Sequence, residues 1–295
     1  MLEKNDDFFV KNEILCDAHF HYAECLKNED DLKITWNACS CAHSIEEWEV
    51  QKNAPDSVIR SFGLHPQVSA KKDFNLKRNA DFLEGLLEER LALLASNDSE
   101  GKGGGACDDN ACAGGAGGDS ACDGRTLIRA IGEAGFDYFT PEFKERQDLQ
   151  EEMWNIQLEL AAQYSMPLVV HCRKANEKLF EYAPVLKKLP AVLFHSFMGS
   201  AVEAESLIRR GINCCFSFGK QMSNGNKKVI ECVQKLPMKN LLLETDAPFQ
   251  TLKGESFTRA EEIRRVYVAF CELRKIEYGI AADIFYNNFT MIFGA

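Results

Sequence analysis

Eight short apolar or β-branched runs recur along the chain, at Glu13–Asp17, Lys33–Cys39, Val58–Gly63, Leu127–Gly132, Pro167–His171, Ala191–His195, Ile212–Ser217 and Asn240–Thr245. Most are followed by a stretch with helical periodicity, such as Glu145–Tyr164, Ala201–Arg210 and Phe257–Arg274. Strands bounded by turn residues and alternating with amphipathic helices predict a parallel sheet covered by helices. Eight such units point to an α/β fold of the TIM (β/α)8 barrel type. A doubly wound open sheet is the alternative. At 295 residues and 45% hydrophobic content, the chain has the length and core of one barrel domain over residues 1–295. Tyr278 to Gly294 reads as a helix that seals the barrel.

Within that pattern, six residues able to bind a divalent metal fall where predicted strands end: His19, His21, Glu133, His171, His195 and Asp246. Residues two apart on a strand point the same way, so His19 and His21 share one face. In a barrel of this type functional groups sit at the C-terminal rim, where all six would converge. A closed rim suits ligands drawn from five strands better than the single crevice of an open sheet. Four imidazoles and two carboxylates are more than one tetrahedral ion needs, which points to two ions bridged by a carboxylate. Glu133, from the middle of the strand order, is the expected bridge. His19, His21, Glu133 and Asp246 are then assigned to one ion, and Glu133, His171 and His195 to the other. Asp246 is the candidate general base for attack by an activated water. Zn, Mg, Mn, Ni or Co would all be tolerated by such a donor set.

The remaining composition narrows the setting. A formal net charge of -11 provides no general field for nucleic acid, so a nucleic acid substrate needs a local cationic grip. The N-terminal residues are polar and acidic, without the apolar stretch of a signal peptide, and no run has the length of a membrane span. Cys39, Cys172, Cys214 and Cys215 lie in or beside apolar strands, as small core residues do in a reducing compartment, and the expected location is cytoplasmic. Ser96 to Gly124 breaks the pattern. It is rich in Gly, Ala, Asp and Ser and has almost no large apolar residue, so a disordered insertion at about 96–124 is expected. Cys107, Cys112 and Cys122 within it lack the paired spacing of a structural zinc site.

Several segments together resemble one family: Asp17-Ala18-His19-Phe20-His21, Gly63-Leu64-His65-Pro66, Ile131-Gly132-Glu133-Ala134-Gly135-Phe136-Asp137-Tyr138 and Pro167-Leu168-Val169-Val170-His171-Cys172-Arg173. They continue with His195-Ser196-Phe197-Met198-Gly199-Ser200 and Leu243-Glu244-Thr245-Asp246-Ala247-Pro248-Phe249. On these motifs the chain is similar to the TatD-like deoxyribonucleases, metal-dependent hydrolases of the amidohydrolase superfamily. The resemblance implies a TIM-type barrel, dependence on divalent metal, and hydrolysis of ester bonds, with DNA phosphodiesters, single-stranded or at an end, as the expected substrate. It also implies that His65 sits near the scissile phosphate and that Arg173 grips it. A guanidinium matches a phosphate bidentately, which agrees with the second role. Met198 and Met291 depart from the family's usual residues, and neither removes a ligand.

Other residues receive blander expectations. His43 reads as a loop or helix-cap residue with no catalytic duty, and Asp17 as a hydrogen-bonding group at the end of strand one. Glu244 shares the face of Asp246 and is a possible partner for a ligand histidine. Asp137 and Tyr138 either orient ligands or pack. Asp246 as a mere helix cap is the competing reading for that residue. Cys172 neighbours His171 but points to the opposite face, so the two make no dyad. The glycines at 101 and 103–105 lack the Lys-Ser or Lys-Thr of a phosphate loop. A small-molecule esterase, lactonase or amidase with the same two metals is the alternative function, and a non-enzymatic binding barrel with structural metals is a third.

Overall fold

The computed structural model describes residues 14–29, 32–100 and 127–294, with only the backbone of 97–100. Eight strands run in chain order around one parallel sheet: β1 (Cys16–Phe20), β2 (Asn37–Ala42), β3 (Val58–Phe62), β4 (Ile128–Asp137), β5 (Leu168–Arg173), β6 (Val192–Phe194), β7 (Cys214–Phe218) and β8 (Leu241–Leu243). Every adjacent pair is parallel, for example Ser40 beside Arg60 and Val192 beside Cys214. The first and last strands meet at their C-terminal ends. Asp246 N donates to His19 O at 2.9 Å, and His21 N donates to Ala247 O at 2.8 Å. Asp17 reinforces that seam, accepting Thr245 N at 3.0 Å and Thr245 Oγ1 at 2.6 Å besides His19 N at 3.2 Å. Its role thus reaches across the seam, beyond the strand-one end where the sequence placed it. An open doubly wound sheet is excluded.

The outward faces of the strands meet the helices through aromatic rings. Phe62 packs edge-on to Trp48 of helix Ile45–Gln51 and to Phe82 of helix Leu76–Glu100. Phe136 meets Trp154 of helix Gln147–Gln163. Burying each such side chain contributes about 2–3 kcal/mol, which fixes the strands' facing and so the direction of the rim residues.

Helix Gln147–Gln163 also carries two glutamines on its buried face, and both serve backbone near the rim. Gln157 accepts Leu64 N at 2.8 Å and donates to Leu64 O at 3.2 Å, one residue before His65. Gln150 does the same for Asp137, at 2.8 Å and 3.1 Å. A buried amide that returns both hydrogen bonds to the same residue satisfies its own polarity while clamping a loop.

Some element boundaries differ from the sequence expectation. Thr140-Pro141-Glu142 starts only a four-residue helix, Pro141–Lys144, and the long helix begins after Arg146. The expected helix Phe257–Arg274 begins at Ile263, preceded by a 3-10 turn at Ala260–Glu262. The closing helix spans Tyr278–Phe293 and ends on Gly294 at φ 64°, a left-handed cap that glycine adopts without a Cβ penalty. Helix Leu76–Glu100 runs into the first residues of the expected disordered insertion, whose remainder, with Cys107, Cys112 and Cys122, lies outside the described residues. No helix among the described residues is long and apolar enough to cross a membrane.

Candidate metal centre

All six histidines of the chain converge at the C-terminal rim on a single carboxylate. Glu133 is 1% exposed and sits inside β4, where Leu127–Gly132 had been the expected strand. The backbone reaches β5 closely because two neighbours have no side chain. A Cβ on Gly135 (φ +145°) would lie 1.9 Å from His171 O, and one on Gly132 (φ +152°) 2.6 Å from Val169 Cβ.

The two oxygens of Glu133 divide the histidines. Oε1 lies 2.7 Å from His43 Nε2, 3.3 Å from His19 Nε2 and 3.5 Å from His21 Nε2. Oε2 lies 2.5 Å from His195 Nε2, 3.2 Å from His171 Nδ1 and 3.6 Å from His65 Nε2. Asp246 joins the first side, with Oδ1 3.3 Å from His21 Nε2 and 3.5 Å from His19 Nε2. It stands at φ 51°, in a left-handed turn after β8, and caps no helix.

Outer contacts decide which ring nitrogen faces inward. His21 Nδ1 lies 3.1 Å from the Cys41 carbonyl, which can only accept, so that nitrogen carries the proton and Nε2 presents a lone pair to the two carboxylates. His171 Nε2 lies 3.2 Å from Asp137 Oδ2, which turns Nδ1 toward Glu133 Oε2. His65 is turned the other way: its Nδ1 accepts Gln67 N at 3.2 Å, so its Nε2 bears hydrogen and is a donor into the cleft. His19 Nδ1 lies 3.3 Å from Cys41 Sγ. His195 Nδ1 is buried without a hydrogen-bond partner, the nearest carboxylate being Glu244 Oε2 at 3.8 Å.

Ring nitrogens and carboxylate oxygens therefore face one another at about 3 Å, held together either by a cation or by protons kept on His19 and His171. His19 Nε2 and His21 Nε2 are 3.2 Å apart, and His171 Nδ1 and His195 Nε2 are 3.1 Å apart. Such a donor set fits divalent cations of borderline character, and three overlapping triads have their donor atoms within 4.8 Å: His19–His21–Asp246, His19–Glu133–His195 and His21–His43–Glu133; His65 stands equally close to Glu133 and His171 but turns a hydrogen-bearing nitrogen to them.

Electrostatics follow the same division. Burial would raise Glu133, but the surrounding His195, His19 and His65 outweigh it and hold the carboxyl well below its ordinary range. Burial opposes ionisation of Asp246 too, and hydrogen bonds to His19 and His21 overcome it, so this carboxyl also stays low. Glu244 goes the other way: burial pushes it up to about 8. Two carboxyls that share the amide of Gln250, at 2.9 Å and 3.0 Å, are thus driven apart, one ionised and one protonated. Burial lowers His195 to about 4 and keeps His65 well below the ordinary imidazole value. For His171 burial is outweighed by Asp137 and Glu133, which bring it to about 9 in the absence of a cation.

The cleft has a volume of about 430 Å³. Arg173, at the exposed end of β5, stands on its rim with the guanidinium 3.5 Å above the Phe139 ring. Met198 and Phe249, 40% and 49% exposed, supply an apolar edge.

The family model described as TatD related DNase matches residues 16–294. The chain belongs to the TatD-related DNase family. Over 173 residues it is 35% identical to a protein named uncharacterized metal-dependent hydrolase YjjV of Escherichia coli K12, covering 56% of this chain and 64% of that one. Over 127 residues it is 35% identical to a protein named 3'-5' ssDNA/RNA exonuclease TatD of Dickeya dadantii, covering 43% of this chain and 47% of the relative. These matches span less than two thirds of either relative's length. The crystal structure of the Escherichia coli TatD homologue YjjV superposes with a TM-score of 0.72 at 22% identity, covering 95% of this chain and 98% of that one. A hydrolase of the TatD family from Entamoeba histolytica gives a TM-score of 0.63 at 14% identity, over 97% and 100% of the two chains. Both likenesses concern the barrel itself.

This TatD-family barrel gathers His19, His21, Glu133, His171, His195 and Asp246 around one point, with His65 beside them and Arg173 on the rim. Asp137 orients His171, whereas Tyr138 packs on Phe136. His43 is a loop residue, as expected, but it lies against Glu133 at 2.7 Å rather than apart from the site. The expected strand Lys33–Cys39 put it four residues past the strand end, but β2 runs Asn37–Ala42 and His43 follows directly. A signal was present. Ser44-Ile45-Glu46-Glu47 has capping-box spacing, and Ser44 Oγ does cap the helix by accepting Glu47 N at 3.2 Å. That fixes the helix start at 45 and leaves His43 as the rim residue.

Proposed function

We propose that the chain is a divalent-metal-dependent nuclease that hydrolyses phosphodiester bonds of DNA, trimming a single strand from an end. One observation carries the reading: each oxygen of Glu133 faces its own set of imidazoles, as a carboxylate bridging two cations would. On this reading His19, His21 and Asp246 serve one ion with Glu133, and His171 and His195 the other. Bound there, two divalent ions would supply Lewis acidity toward the phosphoryl group and acidify a water.

The chain's own residues do the rest. Asp246, held ionised, takes the proton of the attacking water at Oδ1, while Gln250 Nε2 occupies Oδ2 and fixes the carboxylate plane. His65, neutral and with hydrogen on Nε2, donates to a phosphoryl oxygen without adding charge among the ligands. Arg173 grips a phosphate in its planar fork, stiffened by stacking on Phe139. A cleft of about 430 Å³ is at the small end for ligand sites, which suits the end of a single strand. The relatives named as 3'-5' ssDNA/RNA exonucleases support the substrate class. A reducing compartment such as the cytoplasm suits the buried thiols of Cys16, Cys39, Cys41, Cys214 and Cys215.

The net charge of -11 favours a second reading, a small ester, lactone or amide as substrate with the same centre. End-labelled single-stranded DNA, duplex DNA, RNA and a panel of esters and lactones, each with Mg²⁺, Mn²⁺, Zn²⁺, Ni²⁺ or Co²⁺, separate the two by kcat/KM. Stepwise shortening of single strands that His171→Ala abolishes is the expected result. Absence of cleavage of every nucleic acid, or cleavage that survives His171→Ala, overturns the nuclease.

A further inference from the structure

His43 stands outside the ligand set assigned above, yet its Nε2 approaches Glu133 Oε1 more closely than His19 or His21 does, 2.7 Å against 3.3 Å and 3.5 Å. With His21 and Glu133 it forms a triad of donors within 4.8 Å of one another. Its ring is edge-on to His21 at 4.8 Å and stacked on His65 at 4.5 Å. The backbone beneath it is fixed, because His43 N donates to Glu47 Oε2 at 2.7 Å just before the Ser44 cap. The imidazole is thus delivered from a rigid rim into the cluster and is not a stray surface group.

We propose that His43 is a further imidazole ligand of the ion shared by His21 and Glu133 Oε1. The proposal rests on the metal-centre reading given above. A separate third ion is excluded by valence: the Nδ1 of His21 is committed to the Cys41 carbonyl, and its Nε2 has a single lone pair. His43 therefore joins the shell already formed by His19, His21, Glu133 and Asp246. Three imidazoles and two carboxylates make that shell rich in nitrogen. Mg²⁺ takes oxygen ligands and holds its water tightly, whereas Zn²⁺, Co²⁺ and Ni²⁺ bind imidazole well. His43 is then the residue that tilts this centre toward the latter ions.

Equilibrium competition against a chromophoric chelator gives the Zn²⁺, Co²⁺ and Mg²⁺ affinities of the wild type, His43→Ala and His43→Gln. The visible spectrum of the Co²⁺ protein reports the loss of a nitrogen ligand directly. The His43 side chain is 17% exposed on the cleft side, so its replacement leaves the packed core in place. In His43→Ala, Zn²⁺ and Co²⁺ are expected to weaken about tenfold or more at one position, with Mg²⁺ within about twofold. His43→Gln, which can still donate to Glu133, is expected to show the same loss and an altered Co²⁺ spectrum. Wild-type Zn²⁺ affinity in His43→Ala, its recovery in His43→Gln, or an unchanged Co²⁺ spectrum overturns the proposal and leaves the two-ion reading standing. Failure of the wild type to bind any ion overturns both. If His43→Ala does not fold, the His43→Gln spectrum decides.

Discussion

Asp137 Oδ2 lies 3.2 Å from His171 Nε2, and this contact fixes the imidazole with Nδ1 toward Glu133. The carboxylate is itself positioned by Gln67 Nε2 at 2.8 Å and by its backbone clamp on Gln150. A carboxylate behind a histidine raises ligand basicity and selects the tautomer. Asp137→Ala is therefore expected to weaken one of the two metal positions by about 10–100-fold while leaving the barrel folded. Titration of Zn²⁺ into the metal-free variant, read against the wild type, checks this. Equal affinities at both positions would remove Asp137 from the site.

Glu244 gives a pH prediction with a definite sign. Its pKa in the folded protein is raised from 4.5 to about 8, chiefly by burial. The folded state then binds more protons than the unfolded chain between those values, so stability falls as pH rises. The contribution is complete below about pH 4.5 and is lost as pH passes through about 8. In chelator-treated protein, Tm is expected to fall between pH 6 and pH 9 more steeply in the wild type than in Glu244→Gln. Ser217 Oγ at 2.5 Å and Gln250 Nε2 at 3.0 Å can both pair with the glutamine amide. Parallel pH curves for the two proteins would show that Glu244 does not hold the proton.

Arg173 is set apart from the ligands, so its removal separates substrate grip from metal binding. Arg173→Ala is expected to raise KM for single-stranded DNA about tenfold or more, the worth of one charge-assisted phosphate contact, with Zn²⁺ affinity unchanged. The slope of log KM against log salt falls by about 1. Arg173→Lys recovers little, because an ammonium neither forks onto a phosphate nor stacks on Phe139 as a guanidinium does.

Much of this centre is written locally. The two-residue repeat puts His19 and His21 on one face, and the rim rule brings Glu133, His171, His195 and Asp246 to them across more than two hundred residues. What eluded the sequence depends on register and on contacts between distant segments. Ile34 and Trp36 are buried and look like the start of a strand, although β2 begins at Asn37, and that offset hid His43. Gln150 and Gln157 interrupt the apolar stripe of their helix, and nothing in the periodicity says that both clamp loops beside the ligands. The Cys41 carbonyl, which sets the tautomer of His21, is invisible by nature, since every residue has one.

Gly135 is the backbone condition for the whole rim at β4 and β5. Its φ of +145° suits glycine alone, and an added Cβ would stand 1.9 Å from His171 O. Gly135→Ala is expected to destabilise the protein by about 3 kcal/mol or more, from backbone strain and overpacking together. Because the clash falls on the backbone of a ligand-bearing residue, metal binding at the His171 position weakens as well. Urea unfolding of the metal-free and Zn²⁺-loaded variant tests both effects, and an unaltered midpoint would contradict the close approach.

Metal removal offers the broadest test, because the same donor atoms that invite cations must take up protons or repel one another without them. His19 Nε2 faces His21 Nε2 at 3.2 Å, and both face the carboxylates of Glu133 and Asp246. Ligand that binds only the folded state stabilises by about 4 kcal/mol at a thousandfold excess over Kd. For a chain of this length that is a rise in Tm of roughly 10 °C. Dialysis against chelator is expected to lower Tm by that order, and Zn²⁺ or Co²⁺ to restore it more fully than Mg²⁺, since imidazole dominates the donors. A Tm indifferent to chelator and to all three ions would mean that protons, held at histidines such as His171, balance the carboxylates instead.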